Sequence, residues 1–131
     1  MDSKELNNKI LLNALKNMNI TAEVSGRNDL LCNKFKISGS AYKVSLTNKK
    51  TLHHGTMLLH IDLGALANYL NPSKPKLKSK GVDSVVQRVM NLKEIKKEIN
   101  HAILCAEIEK EFIKYFKDCK VYREVLNYES L

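Results

Sequence analysis

Between Phe35 and Leu46 the apolar residues change step. Phe35 and Ile37 sit at odd positions, Tyr42, Val44 and Leu46 at even ones, and the change falls across Ser38-Gly39-Ser40-Ala41. Side chains alternate between the two faces of a strand. A regular ribbon through this stretch would turn one of the two apolar sets to water. A slip of one residue removes the conflict. It predicts a bulge or kink within the strand, with Gly39 as the residue that permits it. Lys36 then projects opposite to Phe35 and Ile37, away from their core face.

The neighbouring segments supply partners for this ribbon. Asn33-Lys34 suits a tight turn back to a strand at Leu30-Leu31-Cys32, and Ile20 to Val24 alternates as a further short strand. Ser25 to Asp29 has loop composition. Thr47-Asn48-Lys49-Lys50 reads as a hairpin turn, after which Leu52 to Ile61 returns antiparallel. Helices flank these strands. Asp2 and Ser3 can cap a first helix whose stripe is Leu6, Ile10, Ala14 and Met18, widened by Leu11 and Leu15, and which stops near Asn19. Asp62 can cap a short helix carrying Leu63, Leu66 and Leu70, closed by Asn71-Pro72. Ser73 to Ser84 is a basic loop, and Val85 to Leu92 declares no period. Asn100 caps a final helix with Leu104, Ile108, Phe112, Tyr115 and Phe116 as its expected buried face. Glu107 with Lys110 and Glu111 with Lys114 are spaced to pair on the wet side. A last strand is expected from Lys120 to Leu126. The order predicts an α/β (α+β) domain over residues 1–131, an antiparallel-rich mixed sheet with helices packed on it.

With 22 basic against 14 acidic residues the net charge is +8, which favours anionic partners such as nucleotides, nucleic acid, acidic protein surfaces or anionic lipid. Cys32, Cys105 and Cys119 form no C-x-x-C pattern and read as free packing thiols. No apolar run approaches the ~20 residues that span a bilayer, so no membrane partner is expected. Asp2 and Glu5 argue against a transit peptide beginning at Met1.

Five blocks then carry a resemblance. Ser25 to Leu31 (SGRNDLL), Lys36 to Tyr42 (KISGSAY), His53 to Leu59 (HHGTMLL), Leu70-Asn71-Pro72 with Ser79 to Val85 (SKGVDSV), and Val89 to Leu92 (VMNL) stand in the order of the corresponding motifs of lipoate–protein ligases and lipoyltransferases. The chain resembles the C-terminal portion of that family's biotin/lipoate ligase-like catalytic domain. The resemblance implies activation of lipoate with ATP to lipoyl-AMP, transfer of the lipoyl group to a lysine of an acceptor, or transfer alone. The implied acceptors are lipoyl domains of 2-oxoacid dehydrogenase complexes or the glycine cleavage H protein. It implies Lys36 as the catalytic lysine, in contact with the adenylate phosphate and the lipoyl carboxyl oxygen. Asn28, Asp29, Ser38, Gly39, Ser40, Lys80, Gly81 and Arg88 are implied around the adenylate and lipoate. Asp29 is implied for Mg, and Lys74, Lys76 and Lys78 for acceptor contact. Eukaryotic members are mitochondrial and bacterial ones cytoplasmic.

The chemistry suits those roles. A carboxylate and a polyphosphate repel, and one ammonium reaching both offsets the repulsion and stabilises charge developing at the α-phosphate. The acyl-adenylate is a mixed anhydride, so the second step needs excluded water and a positioned amine rather than an enzyme nucleophile. The basic loop could supply that cover. Other readings stand beside these. Asn28 and Asp29 also suit a plain turn. His53 and His54 point to opposite faces and cannot share one metal ion without distortion, so they read as packing or hydrogen-bonding residues. His60 and His101 read as incidental.

Two departures are expected to matter. The family's lipoate-binding segment, an Arg-Arg pair with a glycine-rich loop and a His-Asp, belongs upstream of the first helix, and a chain lacking it is expected to lack half its sheet and half its active site. The family's S-V-R-S-R-V is Ser84-Val85-Val86-Gln87-Arg88-Val89 here, with Val86 in place of an arginine. Three states fit: an incomplete ligase product inactive alone, a subunit completed by an N-terminal segment or another chain, or a remnant serving as a binding module. Two non-catalytic functions compete, a module gripping acidic lipoyl domains and a basic nucleic-acid-binding module. The second lacks a recognised motif, and its aromatics fall at core positions.

Overall fold

The computed structural model describes residues 2–70 and 88–130. The expected lysine-rich loop, with Lys74, Lys76, Lys78, Lys80 and Gly81, lies outside them. Helix α1 runs Ser3–Asn17, and the Asp2 carboxylate accepts from the Glu5 N–H at 2.8 Å, satisfying one free donor of its first turn. The helix ends on a left-handed Asn19 (φ 61°). The Asn19 N–H then donates to the Lys16 carbonyl and the Ile20 N–H to that of Leu15. Asparagine tolerates that conformation, and the two bonds close the C-terminal carbonyls while setting Ile20 against Leu15 in the core. Ile20 is thus a core residue outside any strand, and β1 is only Glu23–Ser25.

Strands β1, β2 (Asp29–Cys32), β3 (Phe35–Ser45) and β4 (Lys50–Met57) form one antiparallel sheet in chain order. The β2–β3 turn has Asn33 at φ 51° and Lys34 at φ 68°, the paired left-handed geometry whose twist matches a hairpin. β4 stops at Met57 rather than Ile61, because the Leu58 and Leu59 carbonyls turn to accept the N–H groups of Leu92 and Lys93. The segment that declared no period supplies a parallel bridge, Val89 beside Lys36, and a 3-10 turn at Leu92–Glu94 boxed by Asn91 and Glu94. Helix α2 runs Leu63–Leu70 and helix α3 His101–Tyr115, with Asn100 accepting from the Ile103 N–H.

Helices α1 and α3 pack on one sheet face. The core there joins Leu15, Met18 and Ile20, Leu30 and Cys32, Ile37, Leu92 and Ile99, and Leu104. Burial pushes the Cys32 thiol pKa up. The inner face of α3 is rotated from the expected stripe: Leu104 and Glu111 are buried while Phe112 and Phe116 stack on each other at 4.5 Å and stay 41% and 40% exposed. The rotation serves polar bonds to α1. Asn17 Nδ2 donates to Glu111 Oε1 at 2.7 Å, and Asn13 Nδ2 donates to the Tyr115 hydroxyl at 3.2 Å. Lys120 to Leu126 forms no strand, since no described strand lies alongside it; Arg123 instead grips Glu109 with two contacts of 2.8 Å. Cys105 is exposed rather than packed.

The buried Glu111 carboxyl is held below the usual carboxylate range, chiefly by the Lys114 ammonium at 2.8 Å, against the opposing effect of burial. A carboxyl with a lowered folded pKa contributes stability that is present above its unfolded pKa, about 4.3, and lost as pH falls through the folded value. Urea denaturation should show Glu111→Gln less stable than wild type at pH 6, with the gap closing toward pH 3. An unchanged gap would show that the clasp owes nothing to the charge.

Candidate functional site

The change of step in β3 is a bulge. Leu30 pairs with Ser38 and Leu31 with Lys36, so Ile37 is the extra residue. The result is that Ile37 and Ser38, adjacent in sequence, are both buried. It also re-aims Lys36. Residues 36 and 39 would face opposite sides of a regular strand, but the bulge brings Lys36 to the face of Gly39 and of its cross-strand partner Asp29. There Lys36 Nζ lies 3.0 Å from Asp29 Oδ1, both side chains about a quarter exposed.

Gly39 is not the bulged residue and does not need a left-handed φ. It supplies room: a Cβ at this position would stand 3.2 Å from Lys36 Cε, 3.4 Å from Nζ and 3.8 Å from Asp29 Oδ1. The Lys36 backbone is pinned on its other side, its N–H donating to the Arg88 carbonyl at 2.7 Å and its carbonyl accepting from the Met90 N–H at 3.0 Å. An ammonium has three donors. The Asp29 carboxylate holds the group by an ion pair at 3.0 Å, and the ammonium's donors can serve an anionic ligand.

The other expected site residues are distributed unevenly. Arg88 reaches Lys36 through its backbone, its side chain exposed. Asn28 and Asp29 divide: the Asn28 carbonyl accepts from the Ser40 N–H, and its side chain lines a separate cavity of about 510 Å³ with Lys4, Arg27 and Tyr42. Ser38 and Ser40 face the helices, lining a cavity of about 250 Å³ with Leu11, Ile108 and His53. His53 stacks on Tyr42 with ring centres 4.2 Å apart, and burial, with His54 adding, lowers its pKa. Among the described residues no group of three metal-ligating side chains forms.

His54 and Thr56 are the residues that motif reading undervalued. Register places Thr56 opposite Gly39 and His54 opposite Ala41, on the face of Lys36, and both are exposed. Their i, i+2 spacing in His54-Gly55-Thr56 was the available signal. This sheet face thus carries Lys36, Asp29, Gly39, His54 and Thr56, a cation on a polar floor. Such a floor suits a carboxylate or phosphate far better than a neutral apolar ligand.

Comparison with known proteins identifies the family of the chain. Residues 1–117 match the family described as the lipoyl protein ligase A/B catalytic domain. The chain is 43% identical over 119 residues to lipoate-protein ligase A of Blochmanniella floridana, covering 88% of this chain and 35% of that protein. It superposes on the crystal structure of P. falciparum LipL1 in complex with lipoate at a TM-score of 0.71 and 37% identity, covering 89% of this chain and 32% of that one. A bi-partite lipoate protein ligase of Thermoplasma acidophilum, studied with its E2 lipoyl domain, shares the fold at a TM-score of 0.69 and 21% identity, covering 98% and 51%. The chain therefore spans about a third to a half of the length of these relatives.

Proposed function

Because this chain belongs to the lipoyl protein ligase A/B catalytic-domain family, we propose that it acts in protein lipoylation, supplying the lysine-bearing face on which lipoate is activated as lipoyl-AMP and passed to a lipoyl domain. The observation carrying this reading is the Lys36 ammonium, oriented by Asp29 at 3.0 Å over the space that Gly39 leaves open. Its N–H donors would meet the lipoyl carboxyl oxygen and the adenylate phosphate, lowering the cost of bringing two anions together. His54 and Thr56 would line the acyl side. Asp29 suits magnesium only in the mode where one carboxylate holds the ion and phosphates and water complete its shell. A bound ion there would supply further neutralisation of the polyphosphate.

Lipoate bound to a relative and an E2 lipoyl domain studied with another support the substrate and acceptor classes. The reading is tested by titrating the chain with a non-hydrolysable lipoyl-adenylate analogue, an apo-lipoyl domain and a DNA duplex. Saturable adenylate binding that Lys36→Ala removes is expected. Lipoyl-domain binding without adenylate binding would replace the reading with a non-catalytic grip. Duplex binding indifferent to Lys36 and falling steeply with salt would replace it with a nucleic-acid module.

A further inference from the structure

Helix α3 carries two side chains that the core and the Lys36 site leave unused. Cys105 is a free, exposed thiol on its second turn, and His101, one turn earlier, is exposed as well. Residues four apart on a helix share a face. Here they meet: Cys105 Sγ stands 3.5 Å from His101 Nε2 and 3.8 Å from Nδ1. The buried positions of the helix are Leu104 and Glu111. Free cysteines are usually packed among apolar neighbours, so packing does not account for this one.

The separation of sulfur and nitrogen matches a known coordination geometry. A zinc-class ion binds thiolate sulfur at about 2.3 Å and imidazole nitrogen at about 2.0–2.1 Å in a tetrahedral shell. Those bonds place the two ligand atoms about 3.5–3.6 Å apart, and the chain already holds them at 3.5 Å. An ion joining the same two atoms in a straight line would need about 4.3 Å between them. Thiolate and imidazole are also the donors that soft and borderline ions take in preference to oxygen. The helix backbone fixes the spacing, so little order is lost when an ion binds. Glu109, one turn further along, has both carboxylate oxygens on Arg123. Among the described residues no third His, Cys, Asp or Glu side chain joins the pair.

We propose that His101 and Cys105 form a two-ligand site for a thiophilic divalent ion of the zinc class, with water in the remaining positions. The open shell makes the ion exchangeable, unlike that of a closed four-ligand structural site. Without metal the same two groups share a weak contact between thiol and ring nitrogen. Binding displaces the thiol proton and clips the first two turns of α3 together. The site lies in the helix layer, on the side of the sheet opposite Lys36, and the inference does not depend on the adenylate reading.

The test titrates the reduced full chain with cadmium and with zinc, and reads the ultraviolet charge-transfer band of a metal-bound thiolate together with the melting temperature. One equivalent of cadmium is expected to raise the band, and zinc to raise the melting temperature and compete the cadmium away. Cys105→Ser should abolish the band. Loss of a group that only supports a metal ligand costs about 10–100-fold in affinity, so His101→Ala, which removes a ligand itself, should weaken binding at least about tenfold. His101→Cys, which restores a soft donor at that position, should recover it. Cys119→Ser and Lys36→Ala should bind as wild type does. Both ligands are exposed, so the metal-free variants should melt close to the wild type. No band with the wild-type chain, a band that survives Cys105→Ser, or affinity unchanged in His101→Ala would each overturn the proposal, the last by reducing the site to a single thiol.

Discussion

Replacing Lys36 by alanine is expected to remove lipoyl-adenylate binding almost entirely while leaving the fold in place. The side chain is about a quarter exposed and belongs to no apolar cluster, so little packing is lost. Its backbone bonds to Arg88 and Met90 do not depend on the side chain. Two charge-assisted hydrogen bonds to the ligand are worth about 1.5–3 kcal/mol each. Losing both weakens binding on the order of 10²–10⁴-fold. Lys36→Arg would keep the charge, but the larger planar fork must fit where Gly39 leaves room for a narrow chain, so it should recover only part of the loss. Calorimetric titration against thermal unfolding makes the check. Equal affinities for wild type and Lys36→Ala, at unchanged melting temperature, would remove Lys36 from the site.

How much of this could be read from the chain is clearest along β3. The change of parity from Phe35/Ile37 to Tyr42/Val44 announced a slip, because burial forces the alternation to be consistent. It did not say where the extra residue sits. Glycine in a strand suggested Gly39, yet the bulge falls at Ile37, and Gly39 is small for the sake of the lysine beside it. That requirement is a contact between residues brought together by the bulge, and no local rule encodes it. The helix caps at Asp2 and Asn100 were legible because capping is local.

The face of α3 was not legible. Phe112 and Phe116 look like core residues by hydropathy, but Glu111 occupies the inner position because Asn17 and Lys114 satisfy its carboxylate there. The Asn28-Asp29 motif was legible as a unit and divides in space because Asp29 opens β2 beside Lys36 while Asn28 closes the turn before it, on the side of a different cavity. The strand expected from Lys120 to Leu126 had the right alternation, but a strand exists only against a neighbour, which a sequence window does not contain.

The role assigned to Gly39 leads to the second large effect, a loss of function without loss of fold. Gly39→Ala places a methyl 3.2 Å from Lys36 Cε. The lysine can yield by a few tenths of an ångström, so binding of the adenylate analogue should fall about tenfold at most, and removing a strand glycine should slightly stabilise the fold. Gly39→Val adds two branches in the space the ammonium needs, and the lysine must leave Asp29. A displacement of about 1 Å at a reacting group costs on the order of 10²-fold, and the same loss is expected here in adenylate binding. Valine favours strands, so the melting temperature should not drop with it. The opposite pattern would carry a different meaning. If Gly39→Val unfolded the chain, the glycine would be serving the bulge. If it bound adenylate normally, Lys36 would not be using the space that Gly39 leaves, and the geometry on which the site rests would have to be abandoned.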